Sequence, residues 1–130
     1  PINLHWGYDN RTTGLRIPDA DPENYRIENR FPGADVNPYL SIAATLACGF
    51  LGMKNKVKPT KAYEGNAYEQ DFDVPRNLEE ALRGLQENSE ITQIFGDKFI
   101  QLYTSIKLVE FEQFNQVISS WEREHLLLNV

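Results

Sequence analysis

Arg26, Glu28 and Arg30 occupy alternate positions in the run Arg26-Ile27-Glu28-Asn29-Arg30, and Arg11 and Arg16 lie a short way upstream. On a strand, residues two apart point to one face, so the three charges would share a surface beside apolar Ile27 and Phe31. Burying such charges without compensation is costly. An anionic ligand held together with a metal ion would neutralise them. Arginine suits phosphate or carboxylate because its planar fork makes two parallel hydrogen bonds and keeps its charge. A glutamate between two arginines offers hard oxygen to Mg²⁺, which commonly shares its ligands with phosphates. The plainer alternative is a solvated strand face whose ion pairs contribute little. The formal net charge of the chain is -6, so a cationic cluster within it points to a focused site rather than a basic surface.

The elements that would position these residues can be read in order. Ile2 to Tyr8 alternates loosely and predicts a strand. Asp9-Asn10 is turn chemistry. Thr12 to Ile17 predicts a second strand, with Leu15 and Ile17 on one face and Arg16 on the other, ended by Pro18. Asp19 to Asn24 is a polar loop that lacks the glycine and terminal glutamate of a calcium loop. Tyr25 to Phe31 predicts a third strand, broken by Pro32-Gly33. Asn37 and Pro38 then start a helix running to about Met53. Its apolar residues Leu40, Ala43, Ala44, Ala47, Phe50 and Leu51 recur at helical spacing, and its small residues suit close packing on the sheet. Residues 59–75 form a long polar segment with Tyr63, Tyr68 and Phe72 as its expected anchors.

Further helices follow. Asn77 caps one that runs to about Glu87. Asn88 or Ser89 starts a short one through Phe95. Asp97 opens a last long helix to about His125. Its stripe of Phe99, Leu102, Tyr103, Ile106, Val109, Phe114, Val117, Ile118 and Trp121 reads as core or interface. Leu126 to Val130 is an apolar tail that calls for a partner surface. The fold class expected is α+β, with short antiparallel strands followed by packed helices.

Composition narrows the function. The chain has 130 residues, of which 41% are hydrophobic and 25% charged, ordinary proportions for a globular domain. Its acidic balance argues against nucleic-acid binding, which calls for a basic face. The longest apolar run, around Ala43 to Met53, is too short and too interrupted to span a bilayer. No charged-then-apolar leader is visible, so no secretory signal is expected. The single cysteine, Cys48, excludes an internal disulfide and fits a reducing, cytoplasmic setting. Within its helical pattern Cys48 reads as a small core residue rather than a nucleophile. His5 has no partner at metal-ligand spacing and reads as a surface or packed histidine.

Four motifs carry a resemblance. Trp6-Gly7-Tyr8-Asp9-Asn10-Arg11, Gly14-Leu15-Arg16-Ile17-Pro18, Arg26-Ile27-Glu28-Asn29-Arg30 and Gly33-Ala34-Asp35-Val36-Asn37-Pro38-Tyr39-Leu40 resemble, in order, the carboxy-terminal part of the glutamine synthetase catalytic domain. Val117 to His125 is similar as well. Within the family the match is to the branch that includes γ-glutamylpolyamine synthetases. The resemblance covers nearly the whole chain and implies that residues 1–130 are a portion of a larger catalytic domain. An upstream β-grasp domain and most of the catalytic domain would then lie outside them.

That resemblance implies an ATP-dependent ligase joining an amine, ammonium or a polyamine, to the γ-carboxylate of glutamate through γ-glutamyl phosphate. By the same resemblance Glu28 binds the metal, Mg²⁺ or Mn²⁺, that bridges ATP phosphates. Arg30 holds the carboxylate of the substrate glutamate. Arg11 contacts both the reacting γ-carboxyl and the phosphate, as the catalytic residue. Arg16 contacts the nucleotide phosphates, and Arg26 lies near the nucleotide. The implied assembly is a homo-oligomer of stacked rings.

Departures also matter. Glu23 stands where typical bacterial members have a nucleotide-contacting lysine. By the same resemblance, the flap carboxylate that helps deprotonate the amine would lie upstream of Pro1, as would most metal ligands. Tyr68 falls near a tyrosine that some members adenylylate, although a packing role suits its context better. Two other readings stay open: a non-catalytic relative that kept the fold, and an acidic helical module that binds a partner through the 97–125 stripe.

Overall fold

A computed structural model describes residues 1–127. The chain divides into two compact units, Pro1–Val74 and Pro75–Val130. The first holds strands β1 (Trp6–Tyr8), β2 (Leu15–Ile17) and β3 (Glu28–Asn29) and helix α1 (Pro38–Lys54). The second holds helices α2 (Leu78–Glu87), α3 (Ser89–Phe95), α4 (Asp97–Asn115) and α5 (Ser120–His125). The α+β class therefore stands.

The strands lie in the order β1-β2-β3, and the sheet is mixed. β2 and β3 pair antiparallel, as expected, with Leu15 facing Asn29 and Arg16 facing Glu28. β1 and β2 instead run parallel, with Trp6 beside Leu15 and Tyr8 beside Ile17. A short link ordinarily makes an antiparallel hairpin. Here Asp9 sits in the left-handed region at φ 46° and turns the chain straight back. Aspartate is among the few residues that adopt this conformation readily. The return is held by side chains. The Asn10 carboxamide oxygen accepts from the Thr12 N–H at 2.9 Å and the Thr12 hydroxyl at 2.7 Å. The fully buried Thr13 hydroxyl lies within reach of the Asn10 and Leu15 carbonyls, at 3.0 and 2.8 Å.

All three strands are shorter than their sequence patterns suggest, and main-chain bonds such as Asp9 N–H to the Ile17 carbonyl and Arg30 N–H to the Gly14 carbonyl continue the pairing at their ends. The 59–75 segment, expected to hang on Tyr63, Tyr68 and Phe72, is joined to β1 and the residues before it by hydrogen bonds. The Tyr63 N–H donates to the Trp6 carbonyl at 2.8 Å, and the Trp6 indole N–H to the Thr60 carbonyl at 2.9 Å. The fully buried Asn3 donates to the Ala67 carbonyl at 2.7 Å. Of the three aromatic residues expected there, Tyr63 stacks on His5 at 4.6 Å. Tyr68 and Phe72 are half exposed within this chain. His5 is accordingly a packed histidine.

Asn37 caps α1 by accepting from the Tyr39 and Leu40 N–H groups, and Pro38 opens it, as the sequence indicates. Its packing differs from expectation. Ala47 is its one buried residue, and Cys48 is exposed rather than in a core. A link from β3 to α1 is the Asn29 amide donating to the Thr45 hydroxyl at 3.0 Å. Tyr39, Ile42, Leu46, Phe50 and Met53 stay exposed within this chain.

In the second unit Asn77 caps α2 and Asn88 caps α3. The buried positions are Leu82 on α2 with Ile100 and Thr104 on α4. The expected long helix to His125 is two helices. Ser119 accepts from the Glu122 N–H and Glu122 reaches back to the Ser119 N–H, a capping box that starts α5 afresh. The expected apolar stripe is only partly inside. Phe99 and Tyr103 are half-buried and stack at 5.9 Å, whereas Leu102, Ile106, Val109, Phe114, Val117, Ile118 and Trp121 are exposed. The apolar tail expected over 126–130 lies outside the described residues from 128 onward. No described helix is long and apolar enough to cross a membrane.

Gly7 shows how tightly β1 meets the 60–65 segment, since a Cβ there would lie 2.7 Å from the Tyr63 carbonyl oxygen. Backbone cannot swing aside as a side-chain tip can. Gly7→Ala is therefore expected to destabilise the first unit by about 1–3 kcal/mol, the usual cost of overpacking. Urea unfolding followed by Trp6 fluorescence in a Trp121→Phe background measures it.

Candidate active site

The β2–β3 register sets Arg16 directly opposite Glu28. Facing residues of an antiparallel pair share one side of the sheet, so their charged ends meet. Arg16 Nη1 donates to Glu28 Oε2 at 2.7 Å. Arg26 Nη2 donates to the other carboxylate oxygen, Oε1, at 3.1 Å. Arg16 Nη2 in turn donates to Asp9 Oδ1. The result is an alternating chain, Asp9–Arg16–Glu28–Arg26, of two acids and two bases. The Arg16 side chain is only 13% exposed, and its Nε is buried without a partner among the described residues. The hydrogen bond from Arg16 holds the Glu28 carboxyl below its ordinary range, and that same bond, followed by the one to Asp9, holds the Arg16 guanidinium above its own.

Arg30 does not join this chain. Its Nη1 donates to the carbonyls of Arg11 and, at 3.1 Å, Thr13. Its backbone N–H donates to the Gly14 carbonyl at 2.9 Å. Main chain and side chain of Arg30 thus both grip the 11–14 turn. The expected shared face of Arg26, Glu28 and Arg30 is divided accordingly. The strand lasts only through Asn29, so Arg30 is released to follow the turn.

Arg11 sits on that turn with an exposed side chain, and its guanidinium has no hydrogen-bond or ion-pair partner among the described residues. It lines an open cleft of about 510 Å³ together with Tyr8, Asp9, Asn10, Ala62, Tyr63, Glu64 and Gly65. Of the five candidate residues, three are therefore joined in one ion-pair network, one clamps a turn, and one stands free at a cleft.

Glu28 offers the hard oxygens that a divalent cation takes. Among the described residues no group of three acids, histidines or cysteines is placed to hold a metal. Both Glu28 oxygens already accept from a guanidinium. Asp9 is the participant that sequence reasoning missed. Its signal is weak there: one acid in a turn, seven residues before the arginine it meets.

The family described as "Glutamine synthetase, catalytic domain" matches residues 1–126. The chain is 40% identical over 124 residues to a glutamate–isopropylamine ligase from Pseudomonas sp., covering 92% of this chain and 27% of that protein. It is 38% identical over 130 residues to γ-glutamylputrescine synthetase of Escherichia coli K12, covering 99% of this chain and 28% of that protein. A ligand-free structure of GmaS superposes with a TM-score of 0.83 at 30% identity, covering 98% of this chain and 30% of that one. The chain therefore spans between a quarter and a third of the length of these proteins.

The depressed Glu28 value fixes a pH dependence. The folded carboxyl binds its proton less tightly than the unfolded one. Its contribution is complete above the ordinary glutamate value near 4.5 and fades as pH falls below it. Hydrogen-exchange protection of the Arg30 N–H is expected to be flat from pH 7 to about 5 and to drop below about 4. Glu28→Gln is expected to remove the drop.

Proposed function

The chain belongs to the glutamine synthetase family, and on that premise we propose that it is a carboxy-terminal portion of the catalytic domain of an ATP-dependent glutamate–amine ligase. The whole protein joins an amine to the γ-carboxylate of glutamate. In the first step the γ-carboxylate attacks the terminal phosphoryl group of ATP, giving γ-glutamyl phosphate and ADP. In the second the amine attacks the acyl carbon and phosphate leaves. Both steps crowd negative oxygens together, so fixed positive charge supplies much of the catalysis.

The observation that carries the reading is the division of labour among the arginines. Arg11, unpaired at the cleft, is free to take up the reacting carboxylate and the phosphoryl oxygens. Arg30 fixes the turn that bears Arg11, and the donors it does not spend on carbonyls are available to the substrate glutamate. Arg16 and Arg26 flank Glu28 as the cationic wall for the nucleotide. Glu28 contributes one ligand to Mg²⁺ or Mn²⁺, the remaining ligands coming from outside these residues; the bound ion neutralises phosphate oxygens. Preorganised charge of this kind costs no rearrangement at the moment of reaction.

Relatives named for isopropylamine, ethanolamide and putrescine support an organic amine as the acceptor over ammonium alone. The exposed apolar residues of α1 and α4 support burial against further chain or neighbouring subunits, and a homo-oligomer of stacked rings accommodates both. We assign the protein to the cytoplasm, where glutamate and ATP are abundant.

Full-length protein is expected to release ADP and phosphate in an amine-dependent manner from glutamate, ATP and one of ammonium, putrescine, ethanolamine or isopropylamine. Residues 1–130 alone are expected to be inactive. Arg11→Ala in the full-length protein is expected to lower turnover by about 10²-fold or more, the usual effect of losing one transition-state contact. Near-normal turnover in that variant, or turnover by the 130-residue chain alone, would contradict the proposal.

A further inference from the structure

We propose that Asp9 is a positioning residue, which holds Arg16 in place for the nucleotide phosphates while Glu28 serves the metal. The inference rests on the ligase reading for the role of Arg16, and on the geometry alone for the role of Asp9. Two carboxylates grip one guanidinium: Glu28 takes Nη1 at 2.7 Å and Asp9 takes Nη2. A metal ion held by Glu28 would compete with Arg16 for that carboxylate. Asp9 makes no contact with Glu28 and keeps its charge for the guanidinium.

The backbone is committed to this arrangement. Asp9 is held at φ 46°, and its N–H donates at 2.8 Å to the carbonyl of Ile17, the residue after Arg16 on β2. Residues other than glycine, asparagine and aspartate pay a penalty at such a φ. Of the three, only aspartate also brings a negative charge. Asp9 is also the residue beside Asn10, whose amide donates to the Gly65 carbonyl at 2.9 Å and pins the turn that bears Arg11. Position, conformation and charge therefore converge on one side chain.

The test uses the full-length enzyme and two substitutions that keep the left-handed backbone, Asp9→Asn and Asp9→Gly. Asparagine removes the charge and leaves an acceptor; glycine removes the whole side chain. Because the pair is partly exposed, screening limits the effect. Asp9→Gly is expected to raise KM for ATP by about five- to tenfold and Asp9→Asn by about threefold, within the range for losing one charge-assisted bond. KM for glutamate should stay within about twofold. Calorimetric titration with a non-hydrolysable ATP analogue and Mg²⁺ should show the same loss of affinity.

A merely structural role would lower the melting temperature and move all kinetic parameters together, or leave them all alone; either result overturns the proposal. If the wild-type enzyme forms no γ-glutamyl amide, the ligase reading fails, and the calorimetric comparison still decides the role of Asp9. Equal nucleotide affinity in wild type and both variants, or no nucleotide binding at all, would refute it.

Discussion

The first unit depends on one cross-strand pairing, Arg16 facing Glu28. The pairing sets register, because a one-residue slip of β3 would turn Glu28 to the opposite face and leave the arginine without its partner. It also sets the electrostatics of the site, because the Glu28 carboxylate joins Arg16 to Arg26 and Arg16 joins it to Asp9. On the opposite face the neighbouring residue, Asn29, bonds Thr45 of α1. A two-residue strand thereby carries both the charged surface and the attachment of the helix behind it. So short a ladder is held mainly by what its side chains reach.

The same economy runs through the 9–14 link. A parallel pair joined by so short a connection needs the chain to double back at once, and an aspartate in the left-handed region does this. Once turned, the link is fixed by Asn10, Thr12 and Thr13 from within and by Arg30, just after β3. The consequence for function is that Arg11 rides on a stiff turn while its own side chain is free. An unpaired cation on a turn held by hydrogen bonds suits a group that must meet charge as it develops.

Much of this was legible in the sequence. Asparagines at positions 37 and 77 marked two helix starts and Asn88 was one of two candidates for a third, because capping is local chemistry. The four motifs gave the family and the candidate residues. Three things escaped. The parallel β1–β2 pairing depends on the backbone angle at Asp9, which residue type permits but does not dictate. The break before α5 was signalled by Ser119 and Glu122 but masked by an apolar period that continues through Val117 and Ile118. The exposure of Tyr39, Leu46 and Met53 was hidden because hydrophobic periodicity reports which face is buried in the finished assembly. It does not report whether the 130 residues at hand supply the covering surface.

A guanidinium that bonds main-chain carbonyls and one that stands free can both serve an anionic substrate, the first by holding shape and the second by supplying charge. The most direct measurement is a crystal structure of the full-length protein with an ATP analogue, Mg²⁺ and glutamate. The account predicts that Arg11 lies within hydrogen-bond distance of the reacting carboxylate or the terminal phosphate, that Arg16 meets the nucleotide phosphates, and that Glu28 ligates the metal. A nucleotide bound elsewhere, with Arg11 in solvent and Glu28 holding only its two arginines, would contradict it.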